Sequence, residues 1–212
     1  AIERRYAYMV LADHSQTAAY AGGLSPAAVM KQHREIDALN AKLERFRIVK
    51  CIESDIRADG SLDYDEDVLK SFELIIASVH SGLNMNEADA TKRVVKAIEN
   101  PYTAILGHLT GRLLLAREGY PLDMEKVVDA CVRNRVAIEI NADPHRLDMD
   151  WRHIKRARDN GAMFSIGPDA HSVEGMDNMQ YGVGIARKGW LGPGHIVNCM
   201  TLDQLFAWRM GK

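Results

Sequence analysis

The chain has 212 residues, 47% hydrophobic and 26% charged, an ordinary composition long enough to bury one large core, and it reads as a single domain over residues 1–212. Lys and Arg number 27 against 29 Asp and Glu, a formal net charge of -2, so no global basic field advertises nucleic acid, although a local patch fits inside a neutral sum.

Short β-rich runs alternate with amphipathic stretches from one end to the other, the pattern of a parallel sheet covered or closed by helices. Strands are predicted at residues 6–12, 47–52, 74–79, 103–106, 137–140 and 163–166, several of them apolar on both faces. Helices are predicted at 26–44, 65–71, 87–99, 123–134, 150–160 and 201–210. Ser25-Pro26 reads as an N-cap followed by proline at the first helical position, and Asp123 and Thr201 read as caps. Asn100-Pro101 and Asn160-Gly161 read as stops. Neither a linker nor a low-complexity tract nor an internal repeat marks a second domain. Cys51, Cys131 and Cys199 lie far apart without a CxxC pair, which argues against a thiolate zinc site and for three buried thiols in a reducing compartment. No apolar run approaches the roughly 20 residues that span a bilayer, and the first residues, AIERRYAYMVLADHS, lack a signal-peptide pattern. The expected location is the cytoplasm, with no membrane partner.

The C-terminal end of each predicted strand carries a potential ligand. YMVLADHS ends on His14, IVKCIESD on Glu53, IIASVHS on His80, AILGHL on His108, AIEINAD on Asn141, and FSIGPDAH on Asp169 and His171. In a barrel of parallel strands those ends converge on one face, so residues far apart in sequence become neighbours. A lone histidine after an apolar run is usually a satisfied core or loop residue; the repeated placement in successive βα units is what points to metal binding. His33 and His153 fall within helices and are expected to face solvent or pack on the barrel. Imidazole and carboxylate without thiolate suit Zn²⁺, Mn²⁺ or Fe²⁺ better than Mg²⁺ or Ca²⁺. A carboxylate such as Glu53 can bridge two ions, and ion pairs of that kind favour phosphoester hydrolysis. Arg112 in GHLTGR and Arg146 in NADPHRLD are candidates for holding a phosphate, against the plainer reading of each as half of a surface ion pair.

The segments ADHS, IESDIRADGSLDY, IIASVHS, ENPYTAILGHLTGRLL, AIEINADPHRLD and PDAHSVEGM, followed by YGVGIARKGW, resemble the PHP domain, the polymerase and histidinol phosphatase family. Their wording is most similar to the PHP domain at the C-terminus of bacterial family X DNA polymerases. The resemblance covers nearly the whole chain. It implies a distorted TIM-like barrel of seven βα units with a metal site of up to three zinc or manganese ions at the strand ends. Glu53, His80 and His108 would hold one ion, and Glu53 would bridge to a second that also takes Asp169. His14 and His171 would contribute to the third. Six predicted strands fall one short, and the absent unit would be the first, which carries the family's opening HxH motif. Residue 1 would then lie inside the helix before the second strand. One metal position keeps its full ligand set on this reading, and an unpaired strand edge would offer a route to dimerisation or strand exchange. Leu109 stands where the family usually has proline.

The resemblance implies metal-dependent 3′-end processing of DNA, as exonuclease or 3′-phosphatase, beside an upstream polymerase domain. Glu53 would act at the attacking water, with Asp169 or His171 managing the proton on the leaving side. Two alternatives stand beside it: a small-molecule phosphatase of the histidinol phosphate type, and a non-catalytic scaffold with a degenerate site.

Overall fold

A computed structural model describes residues 1–211; Lys212, the last residue of the expected domain, lies outside the described residues. Strands β1 (Tyr8–His14), β2 (Arg47–Asp55), β3 (Leu74–Ser78), β4 (Ile105–Leu106), β5 (Ala137–Asn141) and β6 (Phe164–Gly167) form one six-stranded sheet in chain order. Every neighbouring pair is parallel, and the sheet curls into part of a barrel. Between and after the strands come α1 (Pro26–Asn40), α2 (Glu66–Leu69), α3 (Glu87–Ile98), α4 (Met124–Arg133), α5 (Trp151–Asp159), α6 (Met179–Lys188) and α7 (Leu202–Met210).

The expected helix starts hold. Ser25 Oγ accepts the Ala28 N–H at 3.3 Å with Pro26 next in line, and Asp123 accepts from Lys126 at 3.1 Å. Thr201 and Gln204 cap each other reciprocally at the start of α7. Helix α1 stops at Asn40, four residues before the expected end at 44. There the Asn40 side chain bonds both the N–H and the C=O of Ile48, each at 2.9 Å, and turns the chain directly into β2. Helix α6 was not expected: Gly182 and Gly184 lower its intrinsic propensity, and packing of Gly182 against Ile166 and Ala142 outweighs that cost. The opening residues form a 3₁₀ turn, Ile2–Arg4. Cys51 and Cys131 are buried as expected, whereas Cys199 is exposed, because its short 3₁₀ turn lies on the surface.

Side chains alternate across each strand, so the sheet has two apolar faces. Ile52, Ile75, Leu106 and Ile138 face the helices and join the larger core with Val29, Val94, Val127 and Ile154. Val49 and Cys51 point the other way, with Leu74, Ile105 and Ala137, and are covered by Val197 and by Leu205 of α7. Glu53 continues the Val49–Cys51 row by two more residues, so the concave face is apolar beneath α7 and becomes polar at its C-terminal rim. Among the described residues, no helix is long and apolar enough to cross a membrane.

Candidate metal centre

Parallel register builds the site. His14, the last residue of β1, lies opposite Glu53 on β2. His80 follows β3 by two residues and His108 follows β4 by two. Gly107 lets that last turn pass β3, since a Cβ there would collide with Ser78 Oγ and the Ile76 side chain. The three imidazoles close on one carboxylate. His14 Nδ1 is 3.3 Å from Glu53 Oε2, while His80 Nε2 and His108 Nε2 are 3.4 and 3.0 Å from Oε1. The two Nε2 atoms are 3.1 Å apart. The ligand atoms of His14, Glu53 and His80 all lie within 4.8 Å of one another.

Two further carboxylates hold this cluster. Asp55, two residues beyond Glu53, accepts the His80 Nδ1–H, which leaves Nε2 to face the cluster. Its other oxygen accepts from Thr17 Oγ1 at 2.8 Å. Glu139 on β5 accepts the backbone N–H of His108 at 2.6 Å and so fixes the turn that aims the ring. Burial would raise the Glu53 carboxyl, but hydrogen bonds from His108 and His80 hold it well below the usual carboxylate range. For His80, burial favours the neutral ring; Asp55 and Glu53 overcome it and raise the imidazole to about 9. Burial pushes Glu139 up to about 7, against the pull of His108.

The donor set fits a divalent transition metal. Imidazole nitrogens and carboxylate oxygens meet without a thiolate. His14 Nδ1 is buried without a hydrogen-bond partner although it faces Glu53. A cation would relieve both the crowding of nitrogens and that orphaned atom.

The remaining expected residues lie on the loops that follow β4, β5 and β6. Asp169 sits in the left-handed region at φ 50°, a conformation that Asp tolerates better than most residues. Its carboxylate accepts from Asn141 Nδ2 at 3.1 Å and lies 3.4 Å from Arg146 Nε. The His171 side chain is 74% exposed, and its ring centroid is 6.3 Å from that of His14. Arg146 leaves Nη1 buried and without a partner, facing no protein acceptor. Arg112 is placed differently from its expected role. Its Nη1 donates to Asp150 at 2.6 Å, Nε to the Arg146 carbonyl at 3.0 Å, and Nη2 to the Leu147 carbonyl, so its guanidinium clamps the loop that carries Arg146. Leu109, at the position where proline was expected, is fully buried. His33 packs edge-on against Phe72, with centroids 4.9 Å apart, and His153 is exposed on α5; neither joins the centre.

Asp55 and Glu139 are the functional residues that sequence reasoning missed. Each had a signal: Asp55 follows Glu53 at the strand period of two, and Glu139 is a lone acid inside the apolar strand AIEIN.

No family model matches the chain. It is homologous to the DNA polymerase/3′-5′ exonuclease PolX of Bacillus subtilis (strain 168), at 41% identity over 207 residues, 98% of this chain and 36% of that protein. A probable phosphatase of Thermoanaerobacter sp. (strain X514) is 32% identical over 146 residues, 64% of this chain and 57% of its own length. The chain therefore spans 36% and 57% of these two relatives. Among solved structures, histidinol phosphate phosphatase from Lactococcus lactis, crystallised with zinc, L-histidinol and phosphate, superposes with a TM-score of 0.60 over 90% of this chain and 85% of its own. At 14% identity that likeness shows a shared fold.

Proposed function

We propose that the chain is a PHP-type, metal-dependent phosphoesterase domain that processes DNA 3′ ends, as exonuclease or 3′-phosphatase, in the setting of a bacterial family X polymerase. The observation that carries this reading is one carboxylate, Glu53, met by His14, His80 and His108 from three other strand ends. Homology to PolX over 98% of the chain supports the polymerase setting. The six strands correspond, on this reading, to six units of a seven-unit barrel that forms a single domain.

Glu53, His80 and His108 would hold one zinc or manganese ion, with His14, Asp169 and His171 extending the site toward further ions. Bound divalent ions supply Lewis-acid stabilisation of phosphoryl charge and lower the pKa of water. The chain's own residues do the rest. Asp55 and Glu139 fix the two most buried rings before substrate arrives. Arg146, with its unpartnered Nη1, offers a donor to a phosphate oxygen, and Arg112 positions the Arg146 loop rather than touching substrate. The exposed His171, two residues from Asp169, would pass a proton to a departing alkoxide. An open mouth suits a strand end better than an enclosed small amine, which ranks the histidinol phosphate type of activity second.

The test is metal content and hydrolysis of a 3′-phosphorylated oligonucleotide in Mn²⁺, for the chain and for His80→Ala. The reading expects bound metal and turnover that both fall with His80. Metal-free protein that leaves the oligonucleotide intact would leave the scaffold reading in its place.

A further inference from the structure

The loop between β1 and α1 is tied to the metal centre at both ends and at its middle. The His14 carbonyl accepts the Leu24 N–H at 2.9 Å, and Ala18 N and O bond to Ser15 O and Gly23 N at 3.0 and 3.1 Å. Gly23 passes so close to the Ser15 carbonyl that a Cβ would collide with it, so only glycine closes the loop there. Thr17 donates to Asp55 through its hydroxyl at 2.8 Å and to Asp63 through its backbone at 2.7 Å. Asp55 is the same carboxylate that orients His80. At the tip of this pinned loop, in the 3₁₀ turn Ala19–Ala21, stands Tyr20. It is 76% exposed and flanked by two alanines. Thr17, three residues before it, is bonded to the carboxylate that orients His80, so the loop tip that carries Tyr20 is anchored beside the centre.

A large aromatic ring held in water by a rigid loop invites a flat apolar partner. The group that arrives there with the scissile phosphate of a strand end is the terminal nucleobase. We infer that Tyr20 is a stacking platform for the base of a single-stranded 3′-terminal nucleotide, and that it sets the preference of the site for nucleic acid over small phosphoesters. This rests on the reading of the centre as a 3′-end phosphoesterase. Tyr20 contributes no ligand and no proton; it holds the base while Arg146 faces the phosphate.

The experiment uses an oligonucleotide with 2-aminopurine at its 3′ end, whose fluorescence is quenched by stacking, read with Ca²⁺ in place of a catalytic ion. The same strand with a 3′-phosphate is then used for kinetics in Mn²⁺ against p-nitrophenyl phosphate. Quenching is expected in the unaltered chain and in Tyr20→Phe, and is lost in Tyr20→Ala. The ratio of kcat/KM for the oligonucleotide to that for p-nitrophenyl phosphate should fall roughly tenfold in Tyr20→Ala, through KM, as expected for loss of one base–aromatic stack. An abasic 3′ terminus should remove the difference between Tyr20→Ala and the unaltered chain. Cleavage of the oligonucleotide with equal quenching and equal ratio in Tyr20→Ala would overturn the platform and leave the phosphoesterase reading standing. An oligonucleotide neither bound nor cleaved by the unaltered chain would overturn both.

Discussion

His108 and His171 carry the same imidazole and stand on opposite sides of one centre. The His108 side chain is 3% exposed and lies 3.0 Å from Glu53, with its backbone held by Glu139. His171 is largely in solvent, and its ring leans on its own turn, 2.9 Å from the Asp169 carbonyl. The closed side has its ligands ordered by folding, so an ion binding there meets little further ordering cost. Side chains on the open side must be ordered by whatever enters. On the proposed reading, metal retention would belong to the Glu53–His80–His108 side and substrate entry to the His171 side.

The contrast breaks most completely at Glu53. Glu53→Gln removes the charge that all three histidines face, and we expect loss of bound metal with at least about a thousandfold loss of turnover, the several kcal/mol that metal ions supply. Metal analysis and phosphatase assay of one preparation check this, and a variant that keeps both would show that the cluster is not the site. Asp55→Ala frees His80 to rotate, and metal affinity should fall about 10- to 100-fold, as read by chelator competition. Arg112→Ala unties the loop that carries Arg146. Breaking a buried pair typically costs about 3–5 kcal/mol, but Arg152 also bonds Asp150 at 2.9 Å, so we expect about 2 kcal/mol and a Tm lower by about 4–8 °C. His171→Ala should leave metal affinity of the closed side within about twofold, because an exposed substitution perturbs little. A drop matching that of Asp55→Ala would erase the distinction. His153→Ala, remote on α5, should move Tm by no more than about 2 °C and leave metal content unchanged.

Much of the centre was legible before any coordinates. His14, Glu53, His80 and His108 each close an apolar run, and parallel strands must bring such ends to one rim. Arg112 shows where that legibility stops. Its place after a histidine-bearing strand end suits phosphate binding equally well, and only the loop of residues 145–150 folding back over it decides that its donors go to Asp150 and two carbonyls. Helix α6 was hidden for a related reason, since two glycines weaken its local signal and its stability comes from packing on β5 and β6.

By itself the sequence determined the alternation of strands and helices, the six-strand order and the residue types at the rim, because periodicity and strand direction are local properties. Tertiary structure alone decided which side chains spend their polar atoms on protein and which leave them for a ligand. Asp55 and Glu139 became supports and Arg112 a clamp, while Arg146 kept an unpartnered Nη1 and Tyr20 stayed exposed. That division depends on partners more than 20 residues away, and satisfaction of buried polar groups is settled only when those partners meet.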